Sequence, residues 1–533
     1  MYKKYSLIIS IFFIIISILV LVFKDKKNTL NEKTGFNKYN ILFIAILIIF
    51  IFTRLYHLTD VPYGMHVDEA AMYYNAYSLA EANVDRYQNI MPIYPINFNG
   101  GQSPMYSYLA ALVFGIFGYR LLLGRLIAVI FGFLTLIYGY KLGCLLKDKK
   151  LGLLTMFIIA ISPYFIMSSR WGLDCNLMLG LFTISVYYLL KAITNKKIFT
   201  FIIAGICFGL TLYTYALSYI ILPIILFILL IYLIYTKSIT FKEFFAFSLP
   251  LFLLALPMII NVFVQFGFLE EIKTNYISII KLQKERTKEV GLSNIIPNLK
   301  KITSWFTHDD LIYNAFPKFG TLYLFSLPVF ILGLILSIKN SIVSFKDKKF
   351  NKYTYLNIIL FMFILAISLT YRAFCINHAN AIYIILAIYL SYGLYNMMNY
   401  LNKYKFIIIP IYFLAFTYFN YYYFVIYPIK INPQRFFINT SYTKAVKESI
   451  KYNTDIYTEA EWNGNLIVAL ENRISPFAFD EEASILANYH FYIPDSFNDE
   501  AIYIVKDNNH QKLIKNNFTC QDFNEYYLCL KSS

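Results

Sequence analysis

The chain has 533 residues, of which 59% are hydrophobic and only 15% are charged. This balance excludes an ordinary soluble domain, in which about 25% of residues carry a charge. The formal net charge of +16 does not indicate a nucleic-acid partner, because the lysines cluster in short loops between apolar runs, as they do on the cytoplasmic side of membrane proteins. We therefore predict an all-α polytopic membrane protein whose main surroundings are the lipid bilayer.

Apolar runs of about 17 residues or more are long enough to cross a bilayer. They predict about 11–12 transmembrane helices, at residues 6–23, 40–57, 121–140, 151–168, 176–192, 198–215, 218–235, 243–264, 321–338, 355–371, 378–397 and 405–426. The expected domains are an extra N-terminal helix and cytoplasmic loop (1–39), a transmembrane domain (40–426) and an extracytoplasmic domain (427–533). The first helix has lysines on both sides, which leaves its orientation open, and a cleaved signal peptide is an alternative.

The loop at 58–119 differs from the lysine-rich loops because it is acidic, with Asp60, Asp68, Glu69, Glu81 and Asp85. Placing the lysines inside puts this loop outside, together with a second long outer loop at 265–320. We expect a multi-pass protein of the bacterial plasma membrane with an extracytoplasmic active site. The short apolar stretch at 103–118 predicts an interfacial helix, and residues 270–290 predict an amphipathic one.

The last hundred residues alternate short apolar runs with turns, which predicts a small α+β domain. Leu466–Leu470 and Ala501–Val505 are predicted strands, with a helix at Tyr442–Tyr452. Cys520 and Cys529 flank a segment that a hairpin could close, so they form either a disulfide or two free thiols.

Asp68 and Glu69 come directly before Ala70–Leu79, a run of good helix formers. This order predicts Asp68 as the N-cap, where the helix dipole keeps a carboxylate ionised. Two interpretations are open: a structural cap with a solvated neighbour, or an acidic pair that removes a proton or holds a cation.

Arginines recur near the outer ends of the predicted spans, at Arg120, Arg125, Arg170 and Arg372. Each could anchor its helix at the lipid surface, and Arg170 could pair with Asp174. Several arginines on one face favour a site for a phosphate headgroup, which accepts paired hydrogen bonds.

Histidines and acids of the outer loops raise the question of a metal. His66 with Asp68 and Glu69, or His308 with Asp309 and Asp310, could bind a divalent ion. Solvated loop charges explain the same residues, so no cofactor is assigned. His378 is either a hydrogen-bonded bundle residue or a substrate contact.

Four stretches in chain order resemble motifs of one family. They are residues 64–70 with the Asp-Glu pair, residues 101–109 with Phe117-Gly118, Ser162-Pro163 with Ser169-Arg170, and residues 377–380. Together the stretches resemble the C-type (GT-C) membrane glycosyltransferases, in the branch of the protein O-mannosyltransferases (dolichyl-phosphate-mannose-protein mannosyltransferase-like) and the lipid A aminoarabinose transferases. Ala379 stands where the family motif has an arginine, with Arg372 a candidate substitute.

The resemblance implies a GT-C-like fold and inverting transfer of a sugar from a polyprenyl-phosphate-linked donor to a hydroxyl of a protein, lipid or glycan. It implies Asp68 as the general base, with Glu69 assisting. It also implies donor-phosphate contacts from Arg120, Arg125, Arg170 and Arg372. Further candidates for substrate binding are His66, Tyr73, Gln102, Asp174, His308, Asp309, Asp310 and His378. The competing hypotheses are a flippase for lipid-linked saccharides and a non-catalytic envelope assembly protein.

Overall fold

The computed structural model describes residues 2–23, 36–98, 100–283, 290–302, 304–307, 313–370, 376–430, 436–459 and 461–531. The chain divides into two compact units. The bundle unit comprises residues 1–56, 128–262 and 284–423, and the Asp68 unit comprises residues 57–127, 263–283 and 424–533. The Asp68 unit therefore combines three stretches that are far apart in the sequence.

Most of the described chain is helical. In chain order, the α-helices are α1 (Tyr2–Phe23), α2 (Phe36–Leu55), α3 (Val67–Ala82), α4 (Pro104–Phe117), α5 (Leu121–Leu146), α6 (Lys149–Ile161), α7 (Pro163–Ser168), α8 (Asp174–Asn195), α9 (Ile198–Thr211), α10 (Ser218–Tyr235), α11 (Phe241–Gln265), α12 (Ile295–Leu299), α13 (Ser304–Thr307), α14 (Leu327–Lys346), α15 (Lys352–Ser368), α16 (Tyr383–Leu401), α17 (Ile408–Tyr421), α18 (Tyr427–Lys430), α19 (Thr440–Ser449), α20 (Gly464–Glu471) and α21 (Asp507–Lys515). The strands are short: β1 (Met65–His66), β2 (Ile96–Asn97), β3 (Gly100–Gly101), β4 (Ile272–Lys273), β5 (Ser278–Ile279), β6 (Phe437–Ile438), β7 (Ile456–Thr458), β8 (Ile485–Leu486), β9 (Tyr489–His490), β10 (Ile502–Val505), β11 (Phe518–Asp522) and β12 (Tyr527–Lys531).

Seven helices of the described chain are long and apolar enough to cross a membrane. They are Leu121–Leu146, Asp174–Asn195, Ser218–Tyr235, Phe241–Gln265, Leu324–Lys346, Asn380–Leu401 and Ile408–Ile426. Shorter apolar helices lie at Ser6–Leu21, Tyr39–Leu55, Pro104–Phe117, Ile198–Thr211 and Lys352–Ser368. Eleven of the twelve predicted spans coincide with one of these helices. The predicted polytopic helical fold is confirmed.

The exception is the span predicted at 151–168, which the structure divides into α6 and α7. Ser162 ends α6 in an extended conformation, with φ −75° and ψ 141°, and Pro163 begins α7. The proline causes this break because it has no N–H to donate and because it disfavours a helical conformation of the residue before it.

Helices α14 and α16 approach each other closely through two glycines. A Cβ atom at Gly333 would overlap the carbonyl oxygen of Tyr389, and one at Gly393 would overlap that of Val329. Small residues at such crossings are typical of membrane helices. In lipid the hydrophobic effect does not drive helices together, so they associate through close packing of their backbones.

A six-stranded sheet organises the C-terminal part of the Asp68 unit, in the order β11-β12-β10-β7-β9-β8. Strand β10 pairs parallel with β7, and β11 pairs antiparallel with β12. Side chains from β10, α21, β11 and β12 share one buried cluster, which contains Ala501, Tyr503, Val505, Leu513, Phe518 and Cys529. Cys520 and Cys529 are joined by a disulfide and face each other across β11 and β12. The structure therefore has the predicted α+β character in this region.

Two local predictions are wrong. Leu466–Leu470 is not a strand but the middle of helix α20, because a run of five buried apolar residues suits a buried helix as well as a strand. Within residues 270–283 the structure has the hairpin β4–β5 in place of the expected amphipathic helix.

Helices α3 and α4 pack together in the Asp68 unit. The rings of Tyr73 and Phe114 lie 5.7 Å apart in an edge-on arrangement. Leu112, Ile116 and Phe117 of α4 remain exposed. The expected helix at 103–118 is therefore present, and its place at the membrane interface stays a prediction.

Candidate active site around Asp68

A two-stranded bridge brings the chain to the acidic pair. Met65 and His66 of β1 pair antiparallel with Ile438 and Phe437 of β6. Gly64 precedes the bridge with φ +80°, and a Cβ there would meet the carbonyl oxygen of Ile438 at 2.7 Å. Only glycine fits this position without strain, so the start of α3 is fixed against the C-terminal segment.

His66, and not Asp68, is the N-cap of α3. Its Nδ1 atom accepts a hydrogen bond from the backbone N–H of Asp68 at 3.0 Å. Burial lowers the pKa of the His66 imidazole below its usual value. An Nδ1 atom that accepts must be unprotonated, so His66 is neutral with its proton on Nε2. The predicted cap was wrong because helix propensities do not show that β1 already fixes His66 in an extended conformation.

Asp68 lies in the first turn of α3 and keeps an accessible carboxylate. Its side chain is 41% exposed. Oδ1 accepts a hydrogen bond from Asn97 Nδ2 at 3.0 Å, and Oδ2 lies 3.5 Å from His66 Nδ1. Since His66 Nδ1 is already occupied as an acceptor, it does not donate to Oδ2. One carboxylate oxygen is held by the protein, and the other can accept a proton from a ligand.

The side chain of Asn97 is itself held by a buried arginine. Arg86 Nη2 donates to Asn97 Oδ1 at 2.9 Å and to Glu481 Oε1 at 3.1 Å. The Arg86 side chain is fully buried, and Tyr87 donates a further hydrogen bond to Glu481. Because the amide oxygen of Asn97 accepts from Arg86, its NH2 group must face Asp68. A short chain of polar contacts therefore orients the Asp68 carboxylate.

Gln102 also contacts this loop. The side chain is buried, and Nε2 donates to the backbone oxygen of Asp68 at 3.4 Å. Its Oε1 atom is buried without a hydrogen-bond partner among the described residues. A buried acceptor without a partner is costly unless water or a ligand donates to it, which keeps Gln102 a candidate for substrate binding.

Glu69 has a different environment from Asp68. Its side chain is fully buried and forms an ion pair with Arg125, with Nε and Oε1 2.9 Å apart. Arg125 Nη2 donates to Oε2 at 3.2 Å, and the Tyr73 hydroxyl donates to Oε1 at 3.1 Å. The expected assistance from Glu69 in proton transfer does not fit, because this carboxylate is inaccessible and already neutralised.

Arg125 is fully occupied inside the protein. Besides Glu69, it donates to the carbonyl oxygens of Leu58 at 3.0 Å and of Gly64 at 2.8 Å. The predicted donor-phosphate contact does not fit Arg125, since its guanidinium group is buried and holds the loop that leads into β1. Tyr73 is also completely buried, so its predicted substrate contact does not fit either. Arg120, in contrast, is exposed at the start of α5 and stays a candidate for the phosphate.

Two arginines of the bundle unit hold the ends of helices. Arg170 Nη1 donates to the carbonyl oxygens of Thr53 and Arg54 at 2.8 and 2.9 Å, at the end of α2. Arg54 in turn donates to Ile159 and Ala160, at the end of α6. Both arginines are fully buried. The last carbonyls of a helix lack partners within it and attract cations. These contacts explain Arg170 without a phosphate.

The remaining candidates of the bundle unit lie at helix starts and turns. Asp174 begins α8, where its Oδ1 accepts from the backbone N–H of Cys175 at 2.8 Å. His378 is half-buried, with its ring 6.3 Å from that of Tyr215. Asn380 donates to Asn176 Oδ1 at 3.0 Å, so the predicted motif at 377–380 joins two turns of the bundle unit.

Four predicted residues, Arg372, His308, Asp309 and Asp310, lie outside the described residues. Among the residues that the structure describes, no group of three or more His, Cys, Asp or Glu side chains is arranged to hold a metal ion. His66, Asp68 and Glu69 do not fit a metal together, because His66 Nδ1 accepts a backbone N–H and Glu69 is paired with Arg125.

Sequence reasoning missed Arg86, Asn97 and Glu481. Arg86 carried a weak signal as a lone arginine in an acidic loop. Nothing in the sequence marks Glu481 as part of the site, since it lies 395 positions from Arg86.

Comparison with known proteins agrees with this architecture. Residues 101–264 match the family model described as dolichyl-phosphate-mannose-protein mannosyltransferase. The matched segment begins after Asp68 and Glu69. No curated protein sequence matches the chain.

The structure of ArnT from Cupriavidus metallidurans in the apo state has a TM-score of 0.53 and 10% identity, and the match covers 92% of this chain and 98% of that one. The fold is that of the GT-C membrane glycosyltransferases. The same ArnT bound to undecaprenyl phosphate has a TM-score of 0.52 and 11% identity, over 93% and 98% of the two chains.

The Archaeoglobus fulgidus oligosaccharyltransferase, in complex with zinc and sulfate, has a TM-score of 0.49 and 14% identity, and the match covers 82% of this chain. This chain spans only 62% of the length of that oligosaccharyltransferase. The predicted resemblance to the GT-C family is confirmed by the family model and by the ArnT fold.

Proposed function

We propose that this GT-C protein transfers a sugar from a polyprenyl-phosphate-linked donor to an acceptor hydroxyl on the extracytoplasmic side of the plasma membrane. Asp68 is the general base. The observation that carries the proposal is the contrast within the acidic pair: Asp68 is 41% exposed and Glu69 is fully buried.

The environment of Asp68 suits a base. The Asn97 amide fixes one oxygen at 3.0 Å, and the side chain remains accessible to a ligand. A positioned carboxylate within hydrogen-bond reach of a hydroxyl contributes a rate factor on the order of 10² to 10⁴.

The reaction is a single displacement. The acceptor oxygen attacks the anomeric carbon of the donor sugar, and its proton passes to Asp68. The bond between the anomeric carbon and the phosphate oxygen breaks, and its electron pair leaves with the polyprenyl phosphate. One displacement inverts the anomeric centre.

Two features support a lipid-linked donor. Arg120 is an exposed cation at the start of α5, and a cation next to a leaving phosphate stabilises the charge that develops on it. The bundle unit also has a groove of about 460 Å³. It is lined mainly by apolar side chains of α10 and α11, among them Leu222, Leu226, Leu251, Phe252 and Ile259. Such a lining suits a polyprenyl chain.

ArnT provides a further argument from its bound ligand. Its structure was determined with undecaprenyl phosphate. A shared fold makes a polyprenyl phosphate the simplest proposal for the carrier of the donor sugar here, although a fold alone does not fix a substrate.

The test is transfer by the purified full-length protein in proteoliposomes. The donor is the radiolabelled lipid-linked sugar fraction of the producing cells, and the acceptor is a membrane fraction from cells that lack this protein. Asp68→Asn should reduce transfer by a factor of about 10² to 10⁴, with unchanged thermal unfolding.

Asp60→Asn is the matched control, because Asp60 is an exposed acid of the same loop whose near partners are His57 and Thr59. It should transfer at the wild-type rate. If the wild type moves label across the bilayer without forming a product, the protein is a flippase. If Asp68→Asn transfers as fast as the wild type, Asp68 is not the base.

A further inference from the structure

The Asp68 unit contains a cluster of three aromatic side chains. Trp462 stacks on Phe98 with the ring centroids 6.2 Å apart, and Phe436 contacts Trp462 at 5.5 Å. The Trp462 side chain is 60% exposed, while Phe98 and Phe436 are half-buried. A large indole is therefore held by its neighbours with much of its surface open.

Both phenylalanines connect this cluster to the candidate base. Phe98 directly follows Asn97, which donates to Asp68 Oδ1 at 3.0 Å. The Phe436 ring lies 6.4 Å from that of His66, and its carbonyl oxygen accepts the Val67 N–H at 2.9 Å. The aromatic cluster thus adjoins Asp68 through its immediate neighbours on two sides.

The backbone of both phenylalanines is in the left-handed region, with φ +46° at Phe98 and +77° at Phe436. Bulky side chains rarely adopt this conformation because it costs free energy, and such residues concentrate at ligand-binding sites. The aromatic contacts alone do not account for this cost, because the indole that they support is mostly solvent-accessible.

Polar groups without partners accompany the rings. Arg86 lies over the Phe98 ring, with its guanidinium carbon 4.9 Å from the centroid. Its Nε and Nη1 atoms are buried without a hydrogen-bond partner in the described part of the chain, as are Gln102 Oε1 and Asn463 Nδ2. Donors and acceptors of this kind are satisfied by water or by a ligand that carries hydroxyl groups.

We propose that Trp462, Phe98 and Phe436 form a saccharide platform that binds the acceptor, so that the acceptor is a glycan. A sugar ring presents apolar C–H faces, which stack on aromatic rings, and hydroxyls at its edge, which pair with planar amides and guanidinium groups. The proposal rests on the proposed function, because Asp68 as the base places the acceptor hydroxyl next to the platform.

The test begins with binding, which needs no turnover. Saturation-transfer NMR is recorded on the full-length Asp68→Asn protein in nanodiscs. The probes are trisaccharides of glucose, mannose, galactose and N-acetylglucosamine, and a Ser/Thr-containing octapeptide. At least one trisaccharide should receive saturation on its ring protons. Adding Trp462→Ala should weaken that binding about tenfold, in line with the loss of a buried aromatic contact, and Trp462→Phe should retain most of it.

Phe477→Ala is the matched control, because Phe477 is an aromatic residue of the same unit with 63% exposure. Its binding should equal that of the parent protein. Two NMR results would overturn the platform: no trisaccharide signal above that of the Trp462→Ala protein, or a Trp462-dependent signal from the peptide alone. A fluorescence result would also overturn it, namely quenching of Trp462 by brominated lipids, measured as the difference between wild type and Trp462→Phe.

Kinetics on the active protein separate the acceptor from the donor. Trp462→Ala should raise the KM for the acceptor fraction about tenfold, with kcat and the KM for the donor little changed. A rise confined to the KM for the donor would overturn the acceptor assignment. If saccharide binding is present but neither protein transfers sugar, the proposed function fails while the platform stands.

Discussion

Buried Arg86 and Arg125 of the Asp68 unit pair with the carboxylates of Glu481 and Glu69, whereas buried Arg54 and Arg170 of the bundle unit donate to carbonyls at helix ends. In the Asp68 unit, Arg86 orients Asn97, which in turn holds a carboxylate that stays 41% exposed. In the bundle unit, Arg54 and Arg170 are fully buried and donate to the last carbonyls of neighbouring helices. An arginine near the end of a span can therefore serve as a helix cap, and the sequence alone does not distinguish a cap from a phosphate ligand.

The largest effect should come from breaking the buried pair of Glu69 and Arg125. Arg125→Met leaves the Glu69 carboxylate buried without its cation, and we expect a loss of about 3 to 5 kcal/mol in the free energy of unfolding. Thermal unfolding of the purified protein measures it. Glu69→Gln with Arg125→Met should be less destabilised than the sum of the single variants. A fully stable Arg125→Met protein with impaired transfer would instead support the original phosphate assignment.

A substitution of Arg170 tests whether the buried arginines of the bundle unit stabilise helix ends. Arg170→Met removes donors from the carbonyls of Thr53, Arg54 and Tyr56. We expect it to cost about 1 to 3 kcal/mol of stability, with transfer per folded molecule near that of the wild type. Thermal unfolding and transfer are measured on the same preparation. If Arg170→Met unfolds normally but has a raised KM for the donor, Arg170 binds the phosphate and the comparison fails.

Substitutions of Asn97 test whether its amide positions the Asp68 carboxylate. Asn97→Ala frees one oxygen of Asp68, and we expect kcat to fall about tenfold, equivalent to the loss of one hydrogen bond to a charged group. Asn97→Asp should be worse than Asn97→Ala, since it places a second negative charge beside Asp68 and cannot donate. Equal rates for all three proteins would show that Asp68 needs no such support.

His66 should give the smallest effect. Burial lowers its pKa in the folded state, so the unfolded chain binds the proton more tightly. The contribution of His66 to stability is complete above its unfolded pKa of about 6.5 and decreases as the pH falls below that value. His66→Asn, which can still cap α3, should lose less stability than the wild type between about pH 6.5 and 5. Parallel stability curves for the two proteins over this range would contradict the expectation.

The sequence was sufficient to predict those features that depend on residues close together in the chain. Apolar runs located most helices of the bundle, and the Asp-Glu motif indicated the candidate site, which stays a prediction. It was insufficient where the outcome depends on contacts between distant residues. Asp68 and Glu69 are adjacent and chemically alike, yet Glu69 is buried against Arg125, 56 positions later, while Asp68 stays 41% exposed.

The cap of α3 and the role of Glu481 also depend on contacts between residues that are distant in the sequence. His66 caps α3 because β1 pairs with β6, some 370 positions later. Leu466–Leu470 shows a second limit, since five consecutive apolar residues have no period from which helix or strand can be chosen.

The pairing of β1 with β6 has a consequence for biosynthesis. The ribosome makes the loop that carries Asp68 early, but Phe437 and Glu481 emerge much later, since Glu481 follows Arg86 by 395 residues. At common elongation rates this delay is on the order of half a minute. A nascent chain that has not yet been synthesised through Glu481 therefore has the acid but not the surroundings that orient it.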